Sequence, residues 1–203
     1  MTPRKTTITK ELILNTAFEI ARDKGIDAIS ARKIAYEINC STQPVYSTFN
    51  NMKELKNEIV NKASEYGLSK ILTYKETGYV SLDMGLGYLD FAAKEKELFK
   101  ILFSSEKIVF DNENDKYIFD IELQIKQMRK DPNFKKFNKD QVKNILKKLW
   151  IFTHGIATMI VNDSFKAPKE EIITMLTETY NSLLINELIK NGQYEEAFNS
   201  CKK

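Results

Sequence analysis

The sequence predicts an all-α protein, and three observations predict it. Only 7 glycines and 4 prolines interrupt 203 residues, too few turn signals for a many-stranded fold. Apolar residues recur every three to four positions over most of the chain, the period of a helix with one buried face. Capping residues stand where those patterns begin. With 42% hydrophobic and 29% charged residues, the chain is able to bury a core.

The first helix is predicted over Lys10–Lys24. Thr9 is its N-cap, and Glu11 lies in the first turn, where the helix dipole favours an acid. Ile13, Ala17, Ile20 and Ala21 form its inner face, and Gly25 stops it. Ser30 caps a second helix, about Ala31 to Ile38, which buries Ile34, Ala35 and Ile38. Asn39 takes the turn because asparagine tolerates a left-handed backbone. Cys40 follows as a small apolar plug. Ser41 is expected to cap a third, short helix, with Pro44 in its first turn, where the N–H groups have no intrahelical partner.

Val45 and Phe49 are four apart and face inward. Thr42, Gln43, Tyr46, Ser47 and Thr48 are left to face out. That face is polar, hydroxyl-rich and almost uncharged, which suits contacts to phosphates and base edges. Two short helices joined by a tight turn, the second one exposed, describe a helix-turn-helix, whose second helix enters the DNA major groove. Arg4, Lys5 and Lys10 precede the first acid, Glu11, and such an arm is able to reach phosphates.

A longer helix follows from about Met52 to Tyr74, with Leu55, Ile59, Ala63, Tyr66 and Lys70 on successive turns. Helices are then predicted over 82–94, 96–103 and about 114–130. Asp131-Pro132 ends the last of these, since the residue before proline disfavours helix. The aromatics Tyr88, Phe91, Phe99, Phe103 and Tyr117 sit in these central helices. Each has core packing as its default role. Together they are candidates to line an apolar ligand cavity between helices.

Two strongly patterned helices close the chain, from Asp140 to about Val161 and from Ala167-Pro168 to Leu188. Leu149 to Val161 is apolar nearly all round, and such a helix needs cover on all sides. A chain of this size has few elements left to supply it, so a symmetric homodimer through a four-helix bundle is expected. Trp150 and His154, the only histidine, are further candidates for a ligand contact. The rival role is a hydrogen-bonded core or interface position. Residues 192–203 read as a loosely held tail.

Several function classes are disfavoured. The single histidine leaves no Ser/His/Asp or Cys/His constellation, and phosphate-loop, dinucleotide and metal-ligand spacings are absent. No cofactor or metal is called for, and an enzyme is not expected. Cys40 and Cys201 form no CxxC pair, which suggests reduced thiols in a cytoplasmic protein. No signal peptide or membrane-spanning run is evident. The net charge of +3 says little by itself.

Residues 9–60 resemble the N-terminal DNA-binding domain of the TetR/AcrR family of bacterial regulators. The features that match are the helix ending at Gly25, then Ser30, Ile34-Ala35, Ser41, Val45-Tyr46, Phe49 and Glu54-Leu55. The Trp150, His154, Gly155 cluster is similar to a C-terminal subgroup of that family carrying Trp, His and Gly. The resemblance implies a helix-turn-helix domain over 1–51 and a helical ligand-binding and dimerisation domain over 52–203. It implies a dimer on a palindromic double-stranded operator, usually a repressor, released by a small-molecule effector. It further implies that Ser30, Thr42, Tyr46 and Thr48 meet phosphates and that Gln43, Pro44 and Ser47 face bases.

Two positions depart from the pattern. Met52 stands where the family usually has a phosphate-binding lysine, which makes Lys53 a substitute candidate. Pro44 replaces a frequent glycine; it lacks an N–H, though its ring is able to pack on a thymine methyl. These departures motivate an alternative: a dimeric small-molecule-binding protein whose DNA binding is weak or lost.

Overall fold

The computed structural model describes residues 8–103, 120–195 and 197. Among these every regular element is helical. The helices are α1 (Lys10–Lys24), α2 (Ala31–Glu37), α3 (Gln43–Thr48), α4 (Met52–Thr73) and α5 (Val80–Lys94). They continue with α6 (Lys96–Phe103), α7 (Ile121–Met128), α8 (Lys139–Val161) and α9 (Lys169–Lys190). The chain packs as two units. Among the described residues the first takes 8–66 and 95–103, and the second takes the rest. Packing thus draws its border beyond residue 51: the first half of α4 buries Leu55, Ile59 and Ala63 within the first unit.

In the first unit the Thr9 side chain accepts from the Leu12 N–H at 3.1 Å, which fixes the start of α1. α1 buries Ile13, Ala17, Phe18, Ile20 and Ala21, and packs on α2 and α6. Its other edge is tied by charge. Arg22 donates through Nε and Nη2 to the two Glu95 oxygens at 2.7 and 2.5 Å, and Tyr66 donates to the same carboxylate at 3.0 Å. The paired carboxylate holds the Arg22 guanidinium protonated even more firmly than usual.

Gly25 ends α1 with φ +81° and ψ 166°, a region nearly confined to glycine. A Cβ there would stand 2.9 Å from Glu97 Oε2. We therefore expect Gly25→Ala to cost about 1–3 kcal/mol, measured as a lower urea midpoint with an unchanged slope.

In the second unit α8 packs on α5, α7 and α9. Asn138 and Gln141 close a reciprocal capping box at the start of α8. Asp83, 2% exposed, accepts from the Glu76 and Thr77 N–H groups and from Thr77 Oγ1, which seals the loop between α4 and α5. Gly87 lies so close to the end of α4 that a Cβ would meet Tyr74 Cβ at 2.7 Å and Ile71 O at 3.0 Å.

Three details differ from the sequence reading. The apolar line of α4 continues through Gly67 and Ile71, which are buried, while Lys70 is exposed and Tyr66 half-buried. Steps of four from Ala63 lead there, and a glycine gives no apolar signal. Helix α7 ends at Met128, and Asp131 caps a short 3-10 turn, Pro132–Phe134. The predicted start of that helix, with Tyr117, lies outside the described residues, as do Arg4, Lys5 and Cys201. The predicted tail begins as a further turn that buries Ala197.

Candidate nucleic-acid interface and ligand cavity

The hydroxyl of Ser30 caps α2 by accepting from the Lys33 N–H at 3.2 Å. At the other end Asn39 adopts φ +52°. The Asn39 N–H then reaches Tyr36 O and the Cys40 N–H reaches Ala35 O at 2.9 Å, a Schellman closure. That closure turns the chain into α3. The expected capping by Ser41 does not occur: Thr42 is the N-cap and makes no side-chain capping bond. Adjacent hydroxyl residues leave the choice to backbone geometry, which the sequence pattern does not specify.

Val45 and Phe49 are 1% and 2% exposed and root α3 in the three-helix core. Gln43, Tyr46 and Ser47 face solvent, while Thr42, Pro44 and Thr48 are half-buried. The Tyr46 ring is 60% exposed, much for an aromatic side chain in so small a domain. Ser47 Oγ and Thr48 Oγ1 both donate to Pro44 O, at 3.1 and 2.7 Å. A phosphate contact through either hydroxyl requires exchanging that bond.

Lys53 is exposed on the first turn of α4. That turn is fixed by Asn51 Oδ1 accepting from the Glu54 N–H, and by Glu54 accepting from Asn50. Lys10 is tied to Glu58 at 3.2 Å and lies over the Phe49 ring, so it braces the domain. Tyr36, 83% exposed on α2, was not singled out by the sequence. Its signal is an aromatic at an outward helical position beside the turn.

The second unit holds a partly open cavity of about 60 Å³. Met84, Met128, Leu146 and Leu176 make its walls apolar. Of the predicted ligand residues, Tyr88 and Trp150 line it. His154 stands behind Tyr88: its Nδ1 is 2.7 Å from the Tyr88 hydroxyl, and its ring stacks on Trp150 at 4.9 Å. Phe91 packs instead on Gly67. Phe99 and Phe103 pack on each other in α6 with their rings tilted, within the first unit. Helical spacing does not tell which side of a buried helix meets a void. The polar wall residues Ser81, Gln124 and Tyr180 were missed because each falls at a helical position with no motif.

Burial holds the Tyr88 phenol well above its ordinary range, against the opposing influence of the Trp150 indole N–H. The Tyr88 phenol thus stays protonated and is paired with His154 Nδ1, the ring tautomer setting which of the two donates. Burial also lowers the His154 pKa from 6.5. The unfolded chain thus takes up this proton first as pH falls. Stability present above about pH 6.5 declines as pH falls through the folded-state pKa. The wild-type melting temperature should drop as pH falls below about 6.5, and His154→Asn should flatten that segment.

Among the described residues no group of three His, Cys, Asp or Glu side chains is placed to hold a metal ion. No described helix is long and apolar enough to cross a membrane.

The fold is similar to that of solved TetR-family regulators. A tetR-family transcriptional regulator from Streptomyces coelicolor aligns with TM-score 0.66 and 14% identity, over 95% of this chain and 86% of that one. A putative TetR-family regulator from Vibrio parahaemolyticus aligns with TM-score 0.58 and 13% identity, over 85% and 96% of the two chains. A TetR-like regulator from Rhodococcus sp. RHA1 aligns with TM-score 0.53 and 13% identity, over 89% and 95%. No family model and no curated protein sequence matches the chain.

Proposed function

We propose that this protein is a ligand-responsive, sequence-specific DNA-binding regulator, a repressor released from a palindromic operator by a small molecule. One observation carries the reading: α3 is rooted by Val45 and Phe49 while Gln43, Tyr46 and Ser47 stand out into solvent on a closed helix-turn-helix. A helix so held enters a major groove without rearrangement. Ser30, Thr42, Tyr46, Thr48 and Lys53 take the phosphates, and Gln43, Pro44 and Ser47 face the bases. The cavity in the second unit receives the effector. The helix that begins after α3, α4, also supplies Ile71 to that cavity, so movement of α4 links the two events.

Selection from a random DNA pool at moderate salt tests this. Enrichment of a sequence with two half-sites supports it, and no enrichment from a folded dimer favours the small-molecule-binding alternative. The substitution of Met52 for the family's lysine is what keeps that alternative in view.

The dimer reading has its own support. On α8, Ile151 and Met159 are 57% and 40% exposed, and Gly155 between them is exposed with nothing near its Cβ position. Positions 151, 155 and 159 share one helix face, and no element among the described residues covers it. The last two long helices are therefore proposed as the homodimer interface. Ile151→Glu is expected to shift sedimentation from dimer to monomer at micromolar concentration. A dimer that survives the charge places the interface elsewhere.

A further inference from the structure

The hydroxyls that line the cavity share one property. Ser81 Oγ donates to Asp131 Oδ2 at 3.3 Å, and Tyr180 donates to the same oxygen at 3.1 Å. Thr153 donates to Leu149 O at 2.7 Å, and the Tyr88 hydroxyl is paired with His154 Nδ1 at 2.7 Å. The Ser81, Thr153 and Tyr180 protons are committed to the protein, so what Ser81 and Thr153 offer the cavity is lone pairs, while the Tyr180 oxygen already accepts from Asn133 Nδ2 at 3.3 Å. Behind Ser81 and Tyr180 stands a carboxylate that is 3% exposed. Its other oxygen accepts from the Asn133 N–H at 3.0 Å. Among the described residues no lysine or arginine lines the cavity. The polar end of this pocket is a bank of acceptors with negative charge at its back.

We infer that the cavity selects a compact apolar molecule that brings its own hydrogen-bond donor, an amine or an alcohol, and rejects carboxylates. This rests on the reading of the cavity as the effector site and names the chemistry of the effector. A donor on the ligand meets the lone pairs of Ser81 and Thr153, and an ammonium also gains from Asp131. A carboxylate brings more lone pairs to the same wall and is repelled by Asp131. Gln124 and Trp150 are the lining side chains that carry an N–H; the indole N–H is turned to the Tyr88 oxygen, and the Gln124 amide presents a carbonyl as readily. The limited volume favours a short skeleton. Met84 and Met128 give the walls room to adapt.

The chain has a single tryptophan, and it lines the cavity. Its indole N–H cross-peak in a proton–nitrogen NMR spectrum therefore reports occupancy directly. Butylamine, 1-butanol and butyrate share one skeleton and differ at the head. The amine and the alcohol are expected to shift the cross-peak saturably, with butyrate about tenfold weaker or more. Ser81→Ala removes one acceptor and should narrow the gap. Butyrate binding as tightly as butylamine overturns the inference, as does failure of all three to move the peak in folded protein. An amine that binds yet leaves DNA bound keeps the ligand class and removes the regulatory reading. Butyrate that binds best and releases DNA does the reverse.

Discussion

Tyr46→Ala is expected to lower affinity for every DNA sequence by a similar factor, while Gln43→Ala relaxes preference at particular bases of each half-site. The two side chains leave the same short helix, so the contrast isolates what each one touches. A hydrogen bond to a charged group is worth about 1.5–3 kcal/mol. Loss of a phosphate contact from Tyr46 therefore costs roughly ten- to a hundredfold per recognition helix. A glutamine paired with a base edge discriminates by about 1–3 kcal/mol, so its loss flattens the profile more than it lowers the mean. Tyr46 is 60% exposed, and its removal should leave folding within about 0.5 kcal/mol. Anisotropy titrations against matched and mismatched duplexes at one salt concentration separate the two effects. Unchanged binding in both variants would sink the contact assignment.

Phe134→Ala is the most damaging single truncation expected in the second unit. The ring is 0% exposed and stands edge-on to Phe137 at 6.3 Å and to Tyr180 at 5.8 Å. Truncating such a residue costs about 3–5 kcal/mol, a large part of a total stability of about 5–15 kcal/mol. The melting temperature should fall by roughly 10 °C. A drop of less than about 3 °C would mean that the site collapses to fill the void. Because Tyr180 leans on Phe134, the variant should also weaken occupancy of the cavity in the indole NMR assay.

Local signals carried most of the helix boundaries. Thr9 and Ser30 cap as their residue types predict, Asn39 adopts the left-handed turn, and Lys10–Lys24 and Lys96–Phe103 match in both ends. Each is decided within four residues of chain. Legibility fell where partners are distant. Tyr88 and His154 are 66 positions apart, and nothing in either neighbourhood announces the other. Asp131 read as a helix terminator, which it is close to being. Its role as acceptor for Ser81 and Tyr180, 50 and 49 positions away, exists only once α5, α7 and α9 are packed. Of the aromatic series Tyr88 and Trp150 line the cavity while Phe91, Phe99 and Phe103 pack elsewhere, because helical period marks burial and not emptiness. The outward face of α3 was legible because a polar stripe opposite Val45 and Phe49 has nowhere else to point.

Asp131 has a second employment that bears on descent. The same carboxylate that closes the Pro132–Phe134 turn also orients the hydroxyls of the cavity. A lineage acquiring a taste for acidic effectors therefore cannot begin by neutralising this residue without loosening the turn over Phe134. Its accessible route runs through Ser81, Gln124 and Thr153, whose side chains cap nothing. Divergence in effector preference should accumulate at those three positions first, with Asp131 and Tyr180 changing late and together.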